Sequence, residues 1–209
     1  MSSYRDYGFQ NANSCHAHFY LYQPLLYFLK EIPQAKILDL GCGNGSLVNW
    51  LLEQGFDAYG TDASEKGICI ANKQHPGRFY VQDLSKDHLP QQLQSIVFNV
   101  IISTEVIEHL YDPRTFIRFC SRILANQKNG TLIISTPYHG YLKNLSLSLF
   151  NQWDQHLSPL WDGGHIKLWS KRTLAKLLEE ESFQLTGFQG CGRFPFFWKS
   201  MMIKAQPIR

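Results

Sequence analysis

Long apolar runs are missing from this chain of 209 residues. None approaches the ~20 residues that a helix needs to cross a bilayer. The opening residues, Met1-Ser2-Ser3-Tyr4-Arg5-Asp6, carry no apolar core, so no secretory signal is expected there. Paired cysteines are also lacking. Cys15, Cys42, Cys69, Cys120 and Cys191 are odd in number, scattered, and form no C-x-x-C pair. That argues against a disulfide framework and for reduced thiols, so a cytoplasmic setting is expected. There is no block of one charge and no low-complexity tract. Twenty basic and 17 acidic residues leave a net charge of +3, too weak a bias to imply a nucleic-acid surface. What the chain does have is an ordinary 44% hydrophobic content, enough for one domain with a sizeable core. The Asn-x-Ser/Thr matches at Asn44, Asn129 and Asn144 are chance matches without a secretory route.

The most informative stretch is Ile37-Leu38-Asp39-Leu40-Gly41-Cys42-Gly43-Asn44-Gly45-Ser46. Its first half reads as a buried parallel strand. Its second half has glycine at alternate positions, which permits a tight turn and close approach of a ligand. Leu47 to Leu52 then has helical spacing, with Ser46 as its candidate cap. Strand, glycine turn and helix together make a cradle at a helix N-terminus. The spacing is G-x-G-x-G, not the G-x-G-x-x-G of dinucleotide enzymes, so a nicotinamide cofactor is disfavoured. With Asp39 two residues ahead, the stretch resembles motif I of the class I S-adenosylmethionine (SAM) methyltransferases. The competing reading is a tight turn that binds nothing.

Further along, strands are expected at Asp57–Asp62, Arg78–Gln82, Ile96–Ser103 and Thr131–Ser135, each followed by helical spacing or a turn. Phe19 to Lys30 reads as a mostly apolar helix that Pro24 either kinks or delays. Asp112-Pro113 starts a helix running to Leu124. Ser170 caps another reaching Glu181, and Phe183–Phe188 and Phe197–Ala205 form a closing hairpin. Strand–helix alternation with short loops implies an α/β fold with a doubly wound, mostly parallel sheet. The methyltransferase resemblance implies seven strands, the last antiparallel. One domain over residues 1–209 is expected, with an N-terminal cap over 1–30 and a lid insertion over 137–169. A frayed terminus competes with the cap.

Open α/β sheets bind ligands beyond the C-terminal ends of their strands. Asp39, Gly41, Gly43, Gly45, Asp62, Ala63, Asp83, Leu84 and Ser103 all fall at such ends and are the candidate cofactor residues. Asp62 stands about 20 residues past the glycines, where an acid takes ribose hydroxyls; capping the following helix is its alternative role. The resemblance implies that Asp83 receives the adenine amino group and that Leu84 packs on the ring; a plain loop role for Asp83 competes. Asn99 stands where many relatives carry Asp.

A second constellation follows the fourth strand: Glu105-Val106-Ile107-Glu108-His109, or E-x-x-E-H. On a helical turn, Glu105, Glu108 and His109 share a face and suit a hard or borderline divalent cation. Acids at a helix start, favoured by its dipole, are the alternative. The segment resembles two families, the O-methyltransferases of ubiquinone biosynthesis and the small-RNA 3′-terminal 2′-O-methyltransferases. In the latter family these residues hold a divalent metal, and in both a further His lies after the fifth strand. His165 stands at that place; His139 and His156 compete for it. Without a metal, His109 or His156 is the candidate general base. The expected function is SAM-dependent methyl transfer to a small-molecule acceptor, at oxygen. RNA-end methylation and non-catalytic SAM binding are the alternatives. No nucleic-acid partner and no membrane span are expected.

Overall fold

The computed structural model describes residues 8–14, 17–157, 159–160 and 164–208. Seven short runs become strands: β1 (Lys36–Leu40), β2 (Asp57–Asp62), β3 (Phe79–Val81), β4 (Val100–Thr104), β5 (Thr131–Pro137), β6 (Phe183–Cys191) and β7 (Ser200–Pro207). They form one sheet of order β3-β2-β1-β4-β5-β7-β6. The first five are parallel, and β7 runs antiparallel to both β5 and β6. β4 and β5 are buried along their whole length, as near-continuous apolar runs in a doubly covered sheet require.

Helices cover both faces. On one side lie α1 (His18–Leu29), α2 (Ser46–Glu53) and α3 (Glu65–Asn72), which put Leu21, Leu25, Leu47, Leu51 and Ile68 into one core layer. On the other lie α4 (Pro113–Leu124) and α7 (Lys171–Glu180), which contribute Phe116, Ile117, Cys120, Leu174 and Leu178. Between β5 and α7 run α5 (Tyr141–Leu149) and α6 (Trp153–Leu157). Neither buries a residue fully, and Trp153 of α6 packs its ring against His139 and His156.

Several boundaries differ from the sequence reading. The helix holding Pro24 starts at His18, so the proline neither delays it nor breaks it. The cap of α2 is Gly45, with φ 76°, and Ser46 is already helical. A Cβ on Gly45 would lie 2.7 Å from the Phe79 ring, so space and backbone both demand glycine. β4 begins at Val100 instead of Ile96, and β5 continues through Pro137, opposite Ser200 on β7. The closing strands shift to 183–191 and 200–207, because the aromatic stretch at 194–198 forms their connection. No helix among the described residues is long and apolar enough to cross a membrane. Four described cysteines, Cys42, Cys69, Cys120 and Cys191, are free thiols. Tyr4, Tyr7 and His16 of the expected cap, and Trp161, Asp162 and Gly163 of the expected lid, lie outside the described residues.

Asn99 has a definite task. Its Oδ1 accepts from the Lys36 amide at 2.7 Å, and its own amide donates to the Lys36 carbonyl at 3.2 Å. Its carbonyl accepts from Thr131, so one residue aligns the starts of β1, β4 and β5. Asn99→Ala should lower stability by about 1 kcal/mol, the scale of one intramolecular hydrogen bond, while Asn99→Asp should keep the acceptor and most of that stability. Urea unfolding of both variants checks this; equal losses would contradict it.

Candidate active site

The turn after β1 is held from β2. Gly41 and Cys42 donate backbone hydrogen bonds to the Thr61 carbonyl. The Asp62 carboxylate accepts from the Gly43 amide at 2.9 Å and from the Ser64 amide at 2.8 Å. The helix-cap role falls to Ser64, whose Oγ accepts from Gly67. Asp62 therefore does not cap α3 through the usual contact; it fixes the glycine turn.

Asp39 lies beneath this turn. It is fully buried, and neither carboxylate oxygen has a hydrogen-bond partner among the described residues. Burial first, and the neighbouring Asp62 charge second, push its pKa up to about 8. An orphaned buried acid at the end of a central strand is costly unless a donor arrives from a ligand. Ser103 is different: its buried hydroxyl donates to the Leu40 carbonyl, tying β4 to β1. Beyond β2 and β3 opens a cleft of about 390 Å³ lined by Ala63, Val81, Gln82 and Asp83, among others. Leu84 is half-buried beside it, packed toward the core.

Three residues here were not among the candidate site residues. Buried Gln82 donates from Nε2 to the His88 carbonyl, but its Oε1 has no partner. Its place next to Asp83 was the available signal. Phe9 packs its ring over Gly43 and Gly67. Asn44 donates to the carbonyls of Asn11 and Asn13, strapping residues 11–13 onto the glycine turn. Asn44 lay inside the motif, but its partners are too distant in sequence to be read.

The E-x-x-E-H segment does not form the expected helical turn. Glu105 has φ 55°, and the helical residues are only Ile107–His109, in a 3-10 turn. The two acids therefore do not share a helix face. Glu105 accepts from Ser135 Oγ at 2.7 Å and Ser200 Oγ at 2.9 Å. Glu108 is fully buried and accepts from Thr136 Oγ1 at 2.9 Å, leaving Oε1 without a partner. Burial, then the nearby Glu105, raise its pKa well above the ordinary range. Glu108, His109 and His165 offer ligand atoms that all lie within 4.8 Å of one another; Glu105 is not in that group. His109 Nε2 is 3.9 Å from Glu108 Oε1, while its Nδ1 contacts the Gly164 carbonyl at 3.1 Å. His165 Nδ1 is buried without a partner. Backbone bonds from Ile166 and Lys167 to the Glu108 carbonyl bring His165 into place.

His139 and His156 form a neighbouring pair, their Nε2 atoms 3.3 Å apart. Burial first, then the positive charge of Lys143, lower both: His139 to about 4 and His156 to about 3. His165 is lowered to about 4, by burial and then by His109, His139 and Lys143. Three neutral imidazoles thus line one end of the site at neutral pH.

A doubly wound seven-stranded sheet with its last strand antiparallel, a glycine turn after β1 and acids at successive strand ends define the class I SAM-dependent methyltransferase fold. A model of the methyltransferase domain matches residues 16–186, and the chain belongs to that family. Its cofactor is SAM. It is 34% identical over 119 residues to the ubiquinone biosynthesis O-methyltransferase of Caulobacter sp. (strain K31), covering 54% of this chain and 44% of that one. It is 31% identical over 160 residues to the enzyme of that name from Sinorhizobium fredii, covering 74% and 62%. The chain thus spans less than two thirds of the length of these relatives, 44% of one and 62% of the other. Among solved structures, it resembles magnesium protoporphyrin IX methyltransferase from Synechocystis PCC 6803 with bound SAH. That match has a TM-score of 0.61 and 21% identity, covering 88% and 80% of the two chains.

Asp39 generates a pH prediction. Its unfolded carboxyl titrates near 3.8 and its folded one near 8. Between those values the folded state keeps a proton that the unfolded state has lost. Asp39 therefore makes the ligand-free protein less stable as pH rises from about 4 to about 8, with no further change above. Asp39→Asn should remove that component, so the stability gap between variant and wild type should widen with pH in the variant's favour. Urea unfolding at pH 5 and pH 8 measures it; a gap independent of pH would contradict it.

Proposed function

We propose that the protein transfers the methyl group of SAM to an oxygen atom of a small-molecule acceptor. The observation that carries this reading is the gathering of Glu108, His109 and His165 at the end of the strand next to the glycine turn, with Glu108 Oε1 and His165 Nδ1 left unpartnered. The likeness to ubiquinone biosynthesis O-methyltransferases supports oxygen as the target. The weak net charge speaks against an RNA acceptor.

The residues present fit the cofactor. The orphaned carboxylate of Asp39 suits the positive end of SAM, the carboxylate of Asp62 at the end of β2 suits the ribose hydroxyls, and Gln82 Oε1 and Asp83 suit an adenine amino group. SAM carries an activated methyl on a sulfonium, so the chain must supply chiefly position, exclusion of water and deprotonation. Phe9 and the Asn44 strap, and the segment 137–169, are the elements that exclude water on the two sides.

The residues also fit a divalent cation. Glu108, His109 and His165 offer one carboxylate and two imidazoles, a donor set compatible with Mg, Mn, Fe or Zn. A cation held there would lower the pKa of an acceptor hydroxyl and orient it. Glu105, bound to two hydroxyls and held by burial toward its neutral form, stays outside the group. His156 is the weaker choice as a metal-free base, because its lowered pKa makes it a poor proton acceptor at neutral pH. His109, its Nδ1 against the Gly164 carbonyl and its Nε2 beside Glu108, is the other candidate.

Chelation should abolish methyl transfer and spare SAM binding, since the cofactor residues lie elsewhere. Glu108→Gln and His165→Ala should each reduce turnover at least about a hundredfold, the lower end of a lost acid–base contribution. Transfer of labelled methyl from SAM to a catechol panel, with product identification by mass spectrometry, measures this. Full activity in excess EDTA with no metal in the protein would eliminate the cation. Methylation at nitrogen or carbon would overturn the oxygen reading.

A further inference from the structure

Residues 8–14 form a strap against the glycine turn, with no helix, no strand and no fully buried residue of its own. Its contacts are few and specific. The Phe9 ring wedges against Gly43 and Gly67, so close that a Cβ on Gly43 would lie 2.8 Å from it. The side-chain amide of Asn44 donates to the carbonyls of Asn11 at 2.8 Å and Asn13 at 2.9 Å. Ser14 Oγ and Tyr22 Oη share a hydrogen bond of 2.7 Å, and the Tyr22 ring stacks on Trp50 of α2 at 4.0 Å. A segment that buries so little surface opens at low cost in free energy.

Asn44 differs from the other fastenings because it is buried and belongs to the turn itself. It uses both ends of its amide. Oδ1 accepts from the Ser46 amide at 3.3 Å, at the start of α2, while Nδ2 goes to the strap. The reverse orientation would set an oxygen against two carbonyls, so the donor must face the strap. The strap and the cofactor residues also meet on one residue. Gly43 is held through its amide by Asp62, and by the Phe9 ring on the side where a Cβ would stand. A ligand that fixes the turn therefore fixes the strap, and by linkage a closed strap raises the affinity for that ligand by the same factor.

We propose that Asn44 is a positioning residue for the cofactor: it latches residues 8–14 onto the glycine turn, so that closing of the strap and binding of SAM are one coupled equilibrium. This rests on the placement of SAM over the glycine turn and is independent of the acceptor. Asn44 acts through Phe9 and the strap, not by touching the reacting atoms.

The test combines amide hydrogen exchange of residues 9–14 with SAH calorimetry on the full chain. In wild type, SAH should slow exchange of the strap about tenfold, within the usual range of such couplings. Asn44→Asp keeps an acceptor for the Ser46 amide and puts a favourable charge at the start of α2, but loses the donor to the strap. It should weaken SAH binding about tenfold, abolish the protection of the strap by SAH, and leave the urea midpoint of the ligand-free protein near that of wild type. Phe9→Ala, which changes no charge, should weaken SAH binding to a similar extent. The double variant should lose little more than either single one, because both act through the same strap. A fall in the urea midpoint with SAH affinity intact gives Asn44 a structural role only and overturns the proposal. Losses that multiply in the double variant overturn the shared route. If wild type binds SAH while exchange of the strap stays the same, the coupling fails and the cofactor placement stands. If SAH does not bind, the cofactor placement fails, and the coupling that rests on it fails with it.

Discussion

Two backbone amides that donate to one carboxylate hold the site in shape. Asp62 stands at the end of β2 and accepts from the amides of Gly43 and Ser64, so the turn after β1 and the start of α3 are fixed to a single anchor. The left-handed residues of that turn are available only because they are glycines; at Gly45 a Cβ would also run into the Phe79 ring. With the turn fixed, the strand ends of β1 to β4 face one region, and Asp39 is left beneath it as a buried acid with no partner. Its high pKa and its isolation are what a site awaiting a cationic ligand requires.

Much of the architecture was legible in the sequence. The central strands announce themselves as apolar runs because they are buried on both faces, and Asp57–Asp62 was read to the residue. The boundaries that moved did so where long-range pairing overrode local signals. Pro137 looks like a strand stop, yet it remains in β5 because β7 lies antiparallel beside it. Pro24 sits inside α1 and does not break it. Ser46 looks like a cap, but Gly45 takes that position, since only a left-handed residue turns the chain there.

The E-x-x-E-H segment shows why spacing alone misleads about geometry. Helical spacing would put both acids on one face, but Glu105 adopts a left-handed conformation and turns to Ser135 and Ser200. Glu108 turns instead toward Thr136 and toward the two histidines. His165 is brought back over a long connection by amide bonds to the Glu108 carbonyl, a contact that no local pattern encodes. The contacts of Gln82, Asn44 and Lys143 were invisible for the same reason. Their roles depend on partners from other elements.

The central claim is that SAM lies across the ends of β1, β2 and β3, over the glycine turn, with its methyl toward Glu108. A crystal structure of the full chain grown with SAH tests it most directly. The account predicts adenine density in the cleft of Ala63, Val81, Gln82 and Asp83, ribose hydroxyls on Asp62, and sulfur on the side of the turn nearest Glu108. Adenine density elsewhere, or SAH-saturated crystals with an empty cleft, would contradict it.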